Sequence, residues 1–380
     1  MPSRRQFGTI RRLPSGAWQV RYLDRAGHRH SASFDTKQEA FRHLSVVQAD
    51  LDRGHWHDPR LATIPFRRWV EQWQLTTVDL RPSTRARDES YLRTMVLPRF
   101  GDVPLGEIDH VEVRAWVAEL VASGRAPATV VKAAQTMSKI MRGAVDAGRI
   151  PSSPCERLSL PRIERSEMRF LTPPEVAALA EAIDPAYRAL VLLGAYGGLR
   201  AGELFGLRTG RVDTMRGRVD VAEILVEVRG QLMFGPPKTR AGRRSVPLPR
   251  FVVDELADHI GARRHAADDL VFASPHGEPV RRTNWRRRYW LPAVERAGVH
   301  PLRAHDLRHT AVSLWIAAGA SPTEIAARAG HTSVVTVLDR YGHLLPGCEQ
   351  RVNEALDAMG RNVVPPSPAP VVPLSPRPLG

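Results

Sequence analysis

A chain of 380 residues is too long for one ordinary hydrophobic core, so two or three domains are expected. Its 43% hydrophobic and 25% charged residues fit a soluble globular protein, and no apolar run reaches the ~20 residues that cross a bilayer. Two cysteines, Cys155 and Cys348, exclude a disulfide framework and a cysteine-rich zinc module, while a net charge of +15 favours a polyanionic partner.

The opening MPSRRQFGTI is basic with no apolar stretch behind it, unlike a secretory signal, so a cytoplasmic protein is expected. Arg outnumbers Lys, and its planar fork suits phosphate oxygens and guanine edges. A GC-rich genome could account for Arg over Lys but not for the surplus of positive charge. Nucleic acid is therefore the expected partner, ahead of an acidic membrane surface.

Along the chain, Gly8–Arg12, Ala17–Leu23 and His28–Phe34 alternate around turns at Pro14–Gly16 and Asp24–Gly27, which predicts a three-stranded antiparallel sheet. Thr36–Gly54 follows as a helix, with Ala40, Leu44, Val47 and Leu51 at helical spacing and Thr36 before Glu39 as a capping box. The first thirty residues carry seven Arg and one Asp. Such a sheet could lay strands in a DNA groove, with Arg11, Arg12 and Arg21 as contacts, or simply present a solvated basic face.

Residues 62–150 predict four helices, Ile64–Gln74, Ser83–Leu97, His110–Ala122 and Ala128–Ala147, with turn signals at Pro98, Gly101–Pro104 and Gly124. Arg85, Arg87, Arg93, Lys132, Lys139 and Arg142 are spread over them, as a duplex clamp or on the outside of a plain bundle. Prolines from Pro151 to Pro161 mark a linker.

The largest region, Phe170–Met359, predicts helices at Pro173–Ile183, Ala186–Tyr196, Arg200–Leu207, Phe251–Arg264, Thr283–Ala297, Asp306–Ala318, Pro322–Ala329 and Val334–Tyr341. Strand-like runs lie at Arg218–Val228, Gln231–Phe234, Arg244–Pro247 and Leu270–Phe272. The fold class is thus mainly α with small antiparallel β elements. The closing VVPPSPAPVVPLSPRPLG is Pro-rich and expected to be disordered.

Within this region, Gly198-Leu199-Arg200 opens a helix whose partial positive charge would face a phosphate, and Glu203 is one turn on, placed to fix the guanidinium. Lys238 falls at an expected β-hairpin tip shared with Arg240, Arg243 and Arg244, which could themselves meet phosphates. His305 and Arg308 are three apart on one helix face; Gly330-His331 precedes the helix that ends at Tyr341. Breaking a phosphodiester without water needs a nucleophile, cations on the non-bridging oxygens and a proton for the leaving oxygen, and these residues could supply all three. Taken singly, Arg200 would be a surface arginine, Tyr341 a core tyrosine and His343 a helix cap. His305 and His309 at i, i+4 also fit a metal pair, but Asp306 stands where the metalloprotease motif needs Glu. The run Arg281–Arg288, with Arg286, reads as a solvated face or a DNA contact.

In order and spacing, Gly-Leu-Arg-x-x-Glu, a hairpin Lys, His-x-Leu-Arg-His, Gly-His and then Tyr341 resemble the tyrosine recombinase, or phage integrase, family. The resemblance implies an arm-site sheet domain over 1–60, a core-site helical domain over 61–160 with a linker to 169, a catalytic domain over 170–360 and a tail at 361–380. It also implies that Arg200 and Arg308 bind the scissile phosphate and that Tyr341 attacks it to leave a 3′-phosphotyrosine. Lys238 would protonate the leaving 5′-hydroxyl, His305 would act as acid/base near the tyrosine, and His331 would donate to a non-bridging oxygen. No cofactor or metal is implied. The implied partners are double-stranded attachment sites, further copies of the chain in a tetramer on DNA, and an excision factor or host DNA-bending protein, with no membrane. A non-catalytic DNA-binding regulator and a type IB topoisomerase are the competing readings.

Overall fold

The N-terminal alternation becomes the strands Thr9–Arg12, Trp18–Leu23 and Arg29–Phe34, paired antiparallel in chain order. Val20 and Tyr22 point from the central strand onto Ala40, Leu44, Val47 and Leu51 of the helix Lys37–Arg53. That helix starts at the Thr36–Glu39 capping box and stops at Gly54 in the left-handed region, φ 75°. The structure, a computed structural model, describes residues 7–54, 56–78, 80–164, 167–262, 266–344 and 348–361. The Pro-rich tail from residue 362 onward lies outside them.

The chain divides into two units, Met1–Arg165 and Ser166–Gly380. In the first, the sheet and its helix are followed by helices Phe66–Thr76, Pro82–Tyr91, His110–Ala122 and Pro127–Asp146. Their core gathers Trp69, Phe100, Trp116, Met137 and Ile140. The two indoles are satisfied by backbone, Trp69 Nε1 to Ile140 O at 3.0 Å and Trp116 Nε1 to Met95 O at 3.0 Å. Pro98, read from sequence as a break, does not end its helix. A wide π turn at Leu92–Val96 absorbs the missing N–H and ring, and helical geometry runs on to Phe100.

In the second unit, helices Pro173–Ala182, Arg188–Gly197, Arg250–Gly261, Leu291–Arg296 and Asp306–Ala317 surround a core that includes Leu190, Leu193, Leu256, Trp290 and Leu307. Three strand expectations need correction. Arg218–Val228 is two strands in two sheets: Arg218–Val221 pairs with Val212–Asp213 and Arg244–Pro247, while Ile224–Val228 pairs with Gln231–Gly235. Lys238 is therefore not at a hairpin tip; it lies in the loop that crosses from one sheet to the other. Leu270–Phe272 forms one isolated bridge, Arg208 to Leu270, because its apolar run is buried by packing and not by a ladder. A helix at Cys348–Arg361 also follows the tyrosine, where no element was expected.

Candidate active site

The site is built at helix ends. Helix Arg188–Gly197 packs beside helix Asp306–Ala317 and ends at Gly198, φ 66°. A Cβ there would sit 2.6 Å from the Trp315 ring, so the turn admits glycine alone without rearrangement. Two residues on, Arg200 precedes the short helix Ala201–Phe205. Its Nη1 meets Glu203 Oε1 at 2.8 Å, its backbone N–H donates to Glu203 Oε2 at 2.8 Å, and its Nη2 donates to Gly330 O at 3.2 Å.

Glu203 is itself buried, and its main cation is Arg244, which the sequence left in a crowd of basic residues. Arg244 Nη2 lies 3.0 Å from Oε2 and Nη1 3.2 Å from Oε1, while its Nε donates to Arg328 O at 2.6 Å. Burial alone would raise the Glu203 pKa; the bonds and charge of Arg244, then of Arg200, win and hold it below 4.5. Glu203 thus ties two guanidinium groups from separate elements.

Arg308 is 3% exposed on helix Asp306–Ala317. Its Nη1 donates to Gly198 O at 2.7 Å and its Nη2 to Ala329 O, so the C-terminal carbonyls of two helices fix its plane. Burial, then the nearby Arg200, pushes it down to about 9, which still leaves it charged at neutral pH. Gly330, φ 63°, brings the chain past the 240–244 loop: a Cβ there would lie 2.8 Å from Ala241 O. His331 follows, half-buried, and its Nδ1 is buried with no hydrogen-bond partner among the described residues. Burial first, then Arg308 and Arg200, lowers His331 to about 4; burial first, then His309 and Arg308, lowers His305 to about 4. Burial above all, with the neighbouring cations adding to it, holds both imidazoles neutral.

Tyr341 ends the helix Val335–Tyr341 and is 1% exposed, packed with Val312, Ile325 and Val337 and under Phe170. The group on its hydroxyl is His309 Nδ1, at 2.6 Å, and not His305, whose ring meets the edge of His309 with centroids 5.0 Å apart. From sequence, His309 closes the His-x-Leu-Arg-His pattern and fits a metal pair with His305, but no role beside the tyrosine is assigned to it. The available signal is its spacing of one residue from Arg308, which turns it around the helix away from the carbonyls that hold Arg308 and toward the tyrosine.

The other predicted residues fall outside this cluster. Lys238, Arg240 and Arg243 are exposed on the crossing loop, and Arg286 on the helix after Arg281. On the N-terminal sheet, Arg11 and Arg21 share the open face and both donate to Gln19 Oε1, at 2.9 and 3.0 Å. Arg12 belongs to the opposite set, across from Trp18, and its Nε donates to Gly16 O at 3.4 Å. In the helical unit, Arg87 and Lys139 converge on the buried Asp88 at 2.8 and 3.2 Å; Arg85 bonds Thr77 O and Lys132 bonds Gln135.

Three guanidinium groups, three imidazoles and a phenol collected by one helical domain define a class: proteins with a fixed cationic cluster, suited to an anion, beside a tyrosine hydroxyl. The model described as "Phage integrase family" matches residues 169–347, "Phage integrase central domain" residues 66–161, and "Phage integrase, N-terminal domain" residues 6–53. The chain belongs to the phage integrase family. It is 28% identical over 369 residues to the putative prophage phiRv2 integrase of Mycobacterium tuberculosis, covering 94% of this chain and 97% of that one. Its fold is similar to that of the Tn1549 transposon integrase solved in complex with a circular intermediate DNA, with a TM-score of 0.67 at 18% identity over 77% of this chain and 99% of the other. It is also similar to a lambda integrase tetramer bound to a Holliday junction, with a TM-score of 0.52 at 20% identity over 87% and 94%. No described helix is long and apolar enough to cross a membrane.

Proposed function

We propose that this protein is a site-specific recombinase that integrates or excises a mobile element by cutting DNA and rejoining it through a 3′-phosphotyrosyl bond at Tyr341. The observation that carries the reading is the cluster of fixed cations beside a phenol: Arg308 locked on Gly198 O and Ala329 O, Arg200 tied to Glu203, and the unpartnered buried Nδ1 of His331. A phosphodiester group held between these guanidinium groups relieves their mutual repulsion.

Arg200 and Arg308 hold the non-bridging oxygens of the scissile phosphate, and His331 donates a further bond to one of them. Tyr341 Oη attacks phosphorus, and Lys238 protonates the departing 5′ oxygen. His305, held neutral, gives acid–base support beside the phosphate. The composition supports Lys238: of 55 basic residues only Lys37, Lys132, Lys139 and Lys238 are lysines. An ammonium can give up a proton where a guanidinium cannot, so a lysine kept among Arg240, Arg243 and Arg244 fits a general acid.

The phosphotyrosine conserves the bond energy, so a second DNA strand can attack it with no nucleotide cofactor. Residues 61–160 grip the core site, and the sheet of residues 1–60 reads a separate arm site through the face bearing Arg11 and Arg21. Four copies assemble on two duplexes, as the lambda relative does on a Holliday junction. An excision factor or host DNA-bending protein sets the direction. The protein works in the cytoplasm, on the nucleoid.

The test is a duplex spanning the element's attachment site, nicked beside the cleavage point so that the 5′ fragment escapes. The wild-type protein is expected to form a covalent adduct that Tyr341→Phe abolishes. Binding without any adduct would make the protein a regulator, and relaxation of supercoiled DNA lacking the site would make it a topoisomerase.

A further inference from the structure

We propose that His309 accepts the proton of the Tyr341 hydroxyl during strand cleavage and returns it during religation, an inference that rests on the recombinase reading above. His309 Nδ1 and Tyr341 Oη are 2.6 Å apart, within the range of a strong hydrogen bond. Both side chains are sealed from water, His309 at 5% and Tyr341 at 1% exposure. No solvent molecule of bulk access is therefore the natural acceptor at that oxygen, and the arginines of the site have no lone pair to offer.

The electrostatics require such an acceptor. Burial raises the phenol above its usual 10, and the charges of Arg308 and Arg340 do not bring it back, so Tyr341 keeps its proton at neutral pH. Burial lowers His309 below its usual 6.5, so the imidazole is neutral and can receive that proton. The groups that face His309 are His305, Asp306 and Arg308 from its own helix and the turn before it, Arg303 from the preceding loop, and Arg340 and Tyr341 from the tyrosine helix. Asp306 favours the imidazolium formed in the step, while the three arginines oppose it.

The step balances without a co-reactant. Oη–H donates to the unprotonated Nδ1 of the Nε2–H tautomer, and the proton passes to it as the Oη–P bond forms. The P–O5′ bond breaks, and the leaving oxygen takes its proton from Lys238. In religation a 5′-hydroxyl attacks the phosphotyrosine and gives its proton to the now neutral Lys238, and as the Oη–P bond breaks the imidazolium returns its proton to Oη.

The experiment uses the full chain on the nicked attachment-site duplex, comparing wild type, His309→Asn and His309→Gln across pH. It is repeated on a duplex whose bridging 5′ oxygen is sulfur, a leaving group that needs no acid. The expected result is that His309→Asn binds DNA normally but forms the adduct ~10²–10⁴-fold more slowly at neutral pH. Its rate climbs steadily as pH rises, because the phenol must then ionise unaided, and the sulfur substrate does not rescue it. Rescue by sulfur would place His309 on the leaving group and overturn the proposal. An adduct formed at the wild-type rate, or faster, would also overturn it; the faster rate would make the contact a restraint on the tyrosine. Should both variants fail to fold, the wild-type profile on the sulfur substrate decides: a rate lost with acid at a pH below the ordinary 6.5 of an imidazole, while the protein stays folded, supports the proposal, and a rate that holds until the protein unfolds sinks it. A wild-type protein that forms no adduct removes the recombinase reading and this inference together, whereas a wild-type adduct matched by His309→Asn removes this inference alone.

Discussion

The N-terminal sheet and the cluster around Arg308 and Tyr341 are both rich in arginine, but they hold it in opposite ways. On the sheet, the exposed Arg11 and the half-buried Arg21 both donate to the neutral amide of Gln19. In the cluster, Arg308 is pinned by two helix-terminal carbonyls and Arg200 and Arg244 by one buried carboxylate. Binding a polyanion tolerates mobile charge, whose attraction is long-ranged and screened by salt. Stabilising a transition state requires charge that is already in place and need not reorganise.

The largest test of this contrast is Arg308→Ala, expected to slow adduct formation ~10³–10⁵-fold, as loss of an arginine at a transferring phosphoryl group does. Adduct kinetics at saturating DNA measure it, and a loss confined to binding would erase the distinction between the regions. Glu203→Ala is next: it leaves Arg244 buried without its carboxylate and should cost about 3–5 kcal/mol in denaturant unfolding. The pairing also ties stability to acid. Because the folded pKa of Glu203 is depressed, its contribution is present above 4.5 and is lost as pH falls through the lower folded value, a loss the variant should not show.

A smaller effect is expected from Gly330→Ala, which sets a methyl against Ala241 O in a left-handed turn and should cost at least about 1–2 kcal/mol by thermal unfolding. The imidazoles give a sharper diagnostic. His305 and His331 have folded values near 4 against 6.5 unfolded, so the unfolded state binds more protons between them and stability declines as pH drops from 6.5 toward 4. An anion in the site favours the protonated rings, so DNA binding should take up protons in that window. Calorimetry in two buffers of different ionisation heat reads the uptake; none would mean that the phosphate does not sit beside these rings. The smallest effect is on the sheet: Arg11→Ala should reduce the salt slope of arm-site binding by about 1, and Arg12→Ala, on the other face, by less. Equal slopes would mean that the open face does not track the backbone.

Periodicity made much of this molecule legible. The capping box at Thr36, the helices His110–Ala122 and Pro322–Ala329, and the three N-terminal strands follow from local pattern, because their side-chain spacing and end signals lie within a few residues. The break between Val221 and Ile224 was not legible, since both strands are apolar and only their partners differ. Nor was passage of a helix through Pro98, which depends on a π turn.

The sequence by itself determined the order of Arg200, Lys238, His305, Arg308, His331 and Tyr341, and with it the class of chemistry, because that chemistry demands those functional groups whatever their surroundings. Tertiary structure decided how the groups are held. It set Arg308 against Gly198 and Ala329, joined Arg200 to Gly330, gave Glu203 to Arg244, and put His309 on the tyrosine in place of His305. These contacts join residues 110, 21, 130, 41 and 32 positions apart. No local rule reaches that far: a one-residue turn around a helix separates the Arg308 guanidinium, held by Gly198 and Ala329, from the His309 imidazole on Tyr341, and only packing fixes which way each one points.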